Sequence, residues 1–190
     1  KVIACSDSSG YVVEPDGLHL DTLKEIKLGD RGRIDAYAEQ RQRATFIPKG
    51  TIWDIPCDVA VPCATQNELT GRDAKRLIAN GVIAVVEGAN MPSTPEAIDL
   101  FDAAGIAFGP GKAANAGGVA TSALEMQQNA SRDSWTFEHT EARLAQIMAS
   151  IHDTCQQTAD AYASPGNYVV GANIAGFLRV SQAMVALGLI

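Results

Sequence analysis

Short apolar runs alternate with segments of helical spacing along the first 110 residues. The apolar runs have the length of strands buried on both faces, and they cover residues 2–6, 58–61, 83–86 and 106–108. Apolar positions with helical spacing separate these runs, at residues 20–28, 34–43, 72–80 and 94–104. Strands that alternate with helices predict an α/β fold with a doubly wound, mainly parallel sheet of Rossmann type.

The pattern changes in the last third of the chain. Beyond the segment at residues 111–126, apolar residues recur at helical intervals, as in Leu144, Ile147, Met148 and Ile151. We therefore expect this third to be helical. The chain is divided accordingly into a Rossmann-type domain at residues 1–134 and C-terminal helices at residues 135–190.

Small, polar segments follow the predicted strands. They lie at residues 6–10, 62–67, 87–90 and 111–122. Ligands of doubly wound sheets bind outside the carboxyl ends of the strands. We therefore expect the four segments to lie at one edge of the sheet and to line a ligand site.

The segment at residues 111–126 is the most informative of the four. Gly117 and Gly118 precede a helical pattern, and a backbone without Cβ atoms can come close to another group. One interpretation is an anion site at a helix N-terminus, with Ser122 close to it. The other is a face of small residues packed closely on a sheet, and the spacing alone leaves both open.

Composition and charge exclude some classes of protein. The formal net charge is −7, which argues against a general nucleic-acid or anionic-membrane binder, and the apolar stretches are judged too short to span a bilayer. The four cysteines and three histidines lack the spacing of a metal site, and reduced thiols of a cytoplasmic protein are expected. Because the chain begins with Lys1 and a buried strand follows at once, we expect it to be part of a longer protein.

Four segments carry a resemblance to a known family. They read A-C-S-D-S-S-G, V-P-C-A-T-Q-N-E-L, E-G-A-N-M-P and G-K-A-A-N-A-G-G-V-A-T-S-A-L-E-M. The chain resembles the cofactor domain of glutamate dehydrogenase, most closely the bacterial, hexameric, NADP-dependent type. The resemblance implies reversible conversion of L-glutamate to 2-oxoglutarate and ammonia by hydride transfer, in a homo-hexamer.

Two parts of the family's pattern are absent from this sequence. The glycine-rich phosphate turn that opens such a domain is not present, and its first βα unit is expected to precede Lys1. The family's substrate domain, with its catalytic lysine and aspartate, is absent as well. The resemblance therefore implies no catalytic residue in this chain, and Lys112 is not taken as one. The chain alone is expected to be inactive.

The resemblance assigns the adenosine end of the cofactor to Asp7, Ser8 and Lys27. An acid in the position of Asp7 usually binds the ribose 2′-hydroxyl and favours NAD. In the NADP enzymes that the chain resembles, however, the matching serine and lysine contact the 2′-phosphate. NADP is therefore expected in preference to NAD. The alternative is that Ser8 caps a turn and that Lys27 is a solvated charge.

The remaining assignments follow the other segments. The resemblance places Ala64 and Thr65 at the diphosphate and ribose, and Asn115 at the nicotinamide carboxamide. Gln66 and Asn67 could equally cap the next helix, and Asn115 could form a local turn. By resemblance, the nicotinamide ribose is bordered by Gly88, Ala89 and Asn90, and the substrate by Val119 and Ser122.

Two other functions remain open at this point. The chain could belong to a dehydrogenase for leucine, valine or phenylalanine, although an apolar substrate would leave Ser122 badly paired. It could also be a non-catalytic dinucleotide-binding or assembly module.

Overall fold

The computed structural model describes residues 1–188, and these form two compact units. The first unit spans Lys1–Cys57, and the second begins at Asp58. The domain boundary expected at residue 134 stays a prediction.

The first unit contains an antiparallel sheet. Its strands are β1 (Ala4–Asp7), β2 (Gly10–Val13) and β3 (Thr45–Pro48), in the order β1-β2-β3. The expectation that the first apolar run is a parallel strand was therefore wrong. The chain turns back at once because Gly10 takes φ +152°, and a Cβ there would overlap the carbonyl oxygen of Ile47.

Short helices cover this sheet. Helix α1 (Leu20–Lys24) continues into a π-helical turn at Glu25–Gly29, and α2 (Asp35–Gln40) follows. A buried apolar cluster holds these elements together, formed by Val12, Leu18, Ile26, Ile34 and Tyr37.

The second unit contains the parallel sheet that the pattern predicts. Strands β4 (Val59–Ala60), β5 (Ala84–Val86) and β6 (Ala107–Gly109) pair in chain order. The crossover helices are α3 (Gly71–Ala79) and α4 (Pro95–Ala103). Val85 and Phe101 are fully buried, and the rings of Phe101 and Phe108 stack at 5.9 Å. The α/β class is thus confirmed.

The last third of the described chain is helical, as expected. Helices α5 (Gly111–Ala114) and α6 (Gly117–Ser131) lead to α7 (Phe137–Ala161) and α8 (Tyr168–Leu187). Helices α7 and α8 come very close together at Gly171, which has no side chain. A Cβ there would overlap the carbonyl group of Cys155.

Helix α8 corrects one expectation about the apolar stretches. It has 20 residues, and its most apolar 18-residue window has a mean hydropathy of 1.3 with 6% of that window buried. By length and composition this helix could cross a bilayer, so the judgement that every stretch is too short was wrong. Core helices of soluble proteins meet the same criterion.

Candidate functional site

The residues assigned to the adenosine end lie in the first unit, and they surround the carboxylate of Asp7. Its Oδ1 accepts hydrogen bonds from the Ser9 amide at 2.9 Å and the Ser9 hydroxyl at 2.6 Å. Its Oδ2 accepts from Lys27 Nζ at 2.7 Å and from the Ile34 amide at 3.0 Å. Burial opposes ionisation, but these donors outweigh it and hold the pKa of Asp7 well below its ordinary value. The carboxylate is therefore ionised, and the surrounding donors of the protein compensate its negative charge.

Two cations and a hydroxyl group lie around this hairpin. Lys27 Nζ also donates to the carbonyl oxygen of Gly32 at 2.9 Å, and its side chain is 34% exposed. The Arg33 guanidinium donates to the Ser8 hydroxyl. Together Ser8, Lys27 and Arg33 form a donor set suited to a phosphate group. Arg33 was not expected from the sequence, because nothing in the spacing links it to Ser8, 25 residues earlier.

In the second unit, backbone hydrogen bonds join the segments that follow the three parallel strands. The amides of Gly88 and Ala89 both donate to the carbonyl oxygen of Pro62, at 2.9 and 3.1 Å. The Glu87 amide donates to the Gly109 carbonyl oxygen at 3.0 Å. Three of the four expected segments therefore meet at one sheet edge. The fourth, at residues 6–10, is a hairpin turn of the other unit.

The segment after β4 is exposed and held in a turn. Ala64 and Thr65 are both exposed, and the Ala64 amide donates to Glu68 Oε1 at 2.7 Å. Helix α3 is capped by Thr70 and Asp73, whose side chains and backbone form a capping box. The interpretation of Gln66 and Asn67 as caps of that helix was therefore wrong.

The segment after β5 contacts the next one through a side chain. Asn115 Nδ2 donates to the carbonyl oxygen of Ala89 at 3.0 Å, a bond between residues 26 positions apart. Asn115 therefore does more than form a local turn. Gly88 has no room for a side chain, since a Cβ would overlap Cys63 Sγ, and Asn90 is exposed. Gly88, Ala89, Asn90 and Asn115 thus lie along one small, polar ledge.

A buried carboxylate, that of Glu87, directly precedes Gly88 in the chain. Glu87 is 4% exposed, and its side chain accepts hydrogen bonds from the amides of Gly111 and Ser93, at 2.6 and 3.2 Å. Glu87 was expected only as part of a strand-end segment, without a role of its own. One sequence signal pointed to Glu87: it is an acid directly after an apolar strand. An acidic side chain that is buried at such a position needs hydrogen-bond partners.

The start of α6 contradicts one of the two interpretations of the glycine pair. Gly117 and Gly118 are the first two residues of α6. A Cβ on Gly118 would meet no heavy atom of the described chain within 4 Å, and one on Gly117 would make ordinary contacts with Met148 and Leu144 at 3.8 and 3.9 Å. Close packing on a sheet was therefore the wrong interpretation, because Gly117 contacts only α7 and Gly118 faces open space.

The residues assigned to the substrate share one exposed face of α6. Val119 and Ser122 are three residues apart, which puts them side by side, and Val119 is 77% exposed. The expected position of Ser122 at the helix N-terminus was wrong for its backbone amide. Ser122 is the sixth residue of the helix, so its amide lies beyond the first four, which lack partners within the helix. Only its hydroxyl is available for a ligand.

Two further polar side chains contact α8. The Lys112 ammonium donates to Asn173 Oδ1 in that helix. The side chain of His152 is 57% exposed, and its Nε2 lies 3.1 Å from the Tyr168 hydroxyl. The buried side of α7 passes through Cys155. Within residues 1–188, no group of three or more His, Cys, Asp or Glu side chains could hold a metal ion.

Comparisons with known proteins agree along the whole chain. Residues 1–188 match the family model described as glutamate/leucine/phenylalanine/valine dehydrogenase. The NADP-specific glutamate dehydrogenase of Haemophilus influenzae is 53% identical over 192 residues, which are 99% of this chain and 42% of that protein. Its Escherichia coli counterpart is 52% identical over 193 residues, which are 100% of this chain and 43% of that protein.

A solved structure shows the same fold. Plasmodium falciparum glutamate dehydrogenase matches with a TM-score of 0.95 and 44% identity, over 100% of this chain and 42% of that one. The chain therefore spans less than half the length of the relatives it matches.

Proposed function

Since the chain belongs to the glutamate/leucine/phenylalanine/valine dehydrogenase family, we propose that it is the cofactor-binding part of an NADP-dependent glutamate dehydrogenase. The complete protein would interconvert L-glutamate with 2-oxoglutarate and ammonia. The observation that carries the proposal is the match over nearly the whole chain to relatives named NADP-specific glutamate dehydrogenase, at about 50% identity. Those names also favour glutamate over leucine, valine or phenylalanine as the substrate.

The preference for NADP has support in the first unit. Ser8, Lys27 and Arg33 would hold the 2′-phosphate through a hydroxyl, an ammonium and a guanidinium. Asp7 would otherwise repel this group. Its charge is compensated by Lys27 at 2.7 Å and by two backbone amides, so the obstacle to a 2′-phosphate is reduced.

Small and polar residues of the second unit suit the nicotinamide half of such a cofactor. Small residues at Ala64, Gly88 and Ala89 leave room for the diphosphate and ribose, with Thr65 and Asn90 as hydrogen-bonding groups at its exposed side. Asn115 would bind the nicotinamide carboxamide, since an amide both donates and accepts. When bound, the cofactor supplies the hydride-transfer chemistry, and these residues orient it.

The exposed face of α6 would form one wall of the substrate cleft. Val119 would contact the carbon chain of L-glutamate, and the Ser122 hydroxyl would donate to its side-chain carboxylate. The groups that move protons would come from the rest of the protein. This chain would therefore contribute no catalytic residue and would be inactive by itself.

The same proposal extends to the compartment and the oligomeric state of the complete protein. We expect a cytoplasmic homo-hexamer that acts in nitrogen assimilation, and the free thiols of Cys5, Cys63 and Cys155 fit a reducing compartment. Helix α8 would pack against the remainder of the protein rather than lipid, which agrees with its close contact with α7 at Gly171.

The glycine pair offers a test of this proposal. Gly118→Ala adds one methyl group in open space and replaces a poor helix former, so the isolated chain should gain stability, by up to about 1 kcal/mol. In the complete protein the same methyl group should raise the KM for 2-oxoglutarate or NADPH by roughly tenfold or more, because a ligand approaches there. Chemical denaturation and steady-state kinetics measure the two effects.

Gly176→Ala is the matched control. Gly176 is also helical, and a Cβ there would also meet no described atom within 4 Å. This variant should leave both KM values within about twofold of the unmodified protein. Unchanged kinetics in Gly118→Ala would contradict a ligand at the start of α6.

A further inference from the structure

We propose that Glu87 is a positioning residue that sets the orientation of Asn115, and through it the nicotinamide end of the cofactor. This inference rests on the proposed function for the role of Asn115. The contact between Glu87 and α5, in contrast, is observed within this chain and does not depend on the proposed function.

The carboxylate of Glu87 joins the segments after β5 and β6. It follows β5 directly and is 4% exposed. The 2.6 Å bond from the Gly111 amide joins the side-chain carboxylate of Glu87 to the first residue of α5. Hydrogen bonds to ionised groups are about twice as strong as neutral ones, and burial strengthens them further.

Helix α5 depends on such contacts because it is only four residues long. A single helical turn is unstable by itself, since nucleation costs more than one turn returns. Its first residue is held by Glu87, and the residue after its last one, Asn115, is held by the Ala89 carbonyl oxygen. Both ends of α5 are therefore tied to the segment at residues 87–90.

Gly111 is fitted to this arrangement. A Cβ there would lie 2.9 Å from the Ala89 carbonyl oxygen and 3.2 Å from Glu87 Oε2. Glu87 also accepts a hydrogen bond from the Ser93 amide, which holds the chain just beyond residues 87–90. Small displacements of Glu87 or Gly111 would thus be passed directly to Ala89 and Asn115.

Glu87→Gln in the complete protein tests this role. Both partners of Glu87 are amide donors, so a glutamine accepts from one of them while its own NH₂ group faces the other. We expect kcat to fall about tenfold to a hundredfold while the KM for NADPH changes less than about threefold, because the adenosine end keeps its contacts. With NADPH deuterated at C4, the isotope effect on kcat should rise, since hydride transfer becomes slower.

A second readout does not depend on activity. Hydrogen–deuterium exchange followed by mass spectrometry should show faster exchange for peptides that cover residues 107–116. Asp73→Asn is the matched control, because Asp73 also accepts two hydrogen bonds, both from Thr70, at the start of α3. It should speed exchange around α3 and leave kcat within about twofold.

Each outcome decides the proposal. A folded Glu87→Gln variant with kcat within twofold of the unmodified protein, or with unchanged exchange at residues 107–116, overturns it. Parallel losses of kcat and of NADPH affinity also overturn it, because they indicate a general structural role. If Glu87→Gln fails to fold, Gly111→Ala disturbs the same contact from the other side and must give the same kinetic and exchange pattern. If the unmodified complete protein shows no turnover, the proposed function fails, and exchange alone decides whether Glu87 holds α5.

Discussion

Lys27→Glu in the complete protein should raise the KM for NADPH by about a hundredfold and the KM for NADH by less than about threefold. The change removes a charged hydrogen bond to the proposed 2′-phosphate, worth roughly 1.5–3 kcal/mol, and adds repulsion. NADH lacks this phosphate, so its KM should change only because the hairpin loses the contact between Lys27 and Asp7. Steady-state kinetics with both cofactors at saturating 2-oxoglutarate and ammonia measures the difference.

The neighbouring Lys24 provides the control. It belongs to α1 and is exposed, one turn before Lys27. Lys24→Glu therefore makes the same change of net charge while the hydrogen bond from Lys27 to Asp7 is kept. This variant should change both KM values by less than about twofold. Equal effects of Lys27→Glu on the two cofactors would mean that Lys27 only stabilises the Asp7 hairpin.

Ser122→Ala in the complete protein should have the second largest effect. It should raise the KM for 2-oxoglutarate by about tenfold to a hundredfold, because the hydroxyl donates to the substrate's side-chain carboxylate in the proposed site. The KM for NADPH should change less than about twofold, since Ser122 lies on the face of α6 shared with Val119. Initial rates at varied 2-oxoglutarate and fixed NADPH measure this effect.

Ser131→Ala is the control for helix stability. Ser131 ends α6, and its hydroxyl donates to the carbonyl oxygens of Gln127 and Gln128 within the same helix. Neither KM should change in this variant. If Ser122→Ala weakened the binding of NADPH and of 2-oxoglutarate to the same extent, Ser122 would stabilise α6 rather than bind the substrate.

Apolar runs and helical spacing predicted the parallel part of the fold, because they report burial directly. Strands β5 and β6 lie within two residues of the expected positions. The antiparallel sheet was not predicted, because β2 and β3 have four residues each and β3 follows its partner by more than thirty positions. Which strand a short run pairs with depends on distant contacts that local spacing does not contain.

The candidate site residues divide in a similar way. Gly88, Ala89 and Asn115 could be proposed from the sequence because small and polar residues follow strands at a predictable edge. For Glu87 the sequence offers only an acid directly after an apolar strand, and for Arg33 it offers no signal. The contacts of both residues depend on partners 24 or 25 residues away in the chain. Hydrogen bonds of this range follow from tertiary packing, which the order of residue types does not reveal.

The central claim is tested most directly by glutamate-dependent reduction of NADP⁺ and NAD⁺ by the complete protein, with the 190-residue chain assayed beside it. The account predicts turnover by the complete protein with kcat/KM at least about tenfold higher for NADP⁺, and none by the chain alone. A complete protein that oxidises leucine, valine or phenylalanine in preference to L-glutamate, or that prefers NAD⁺, would contradict it.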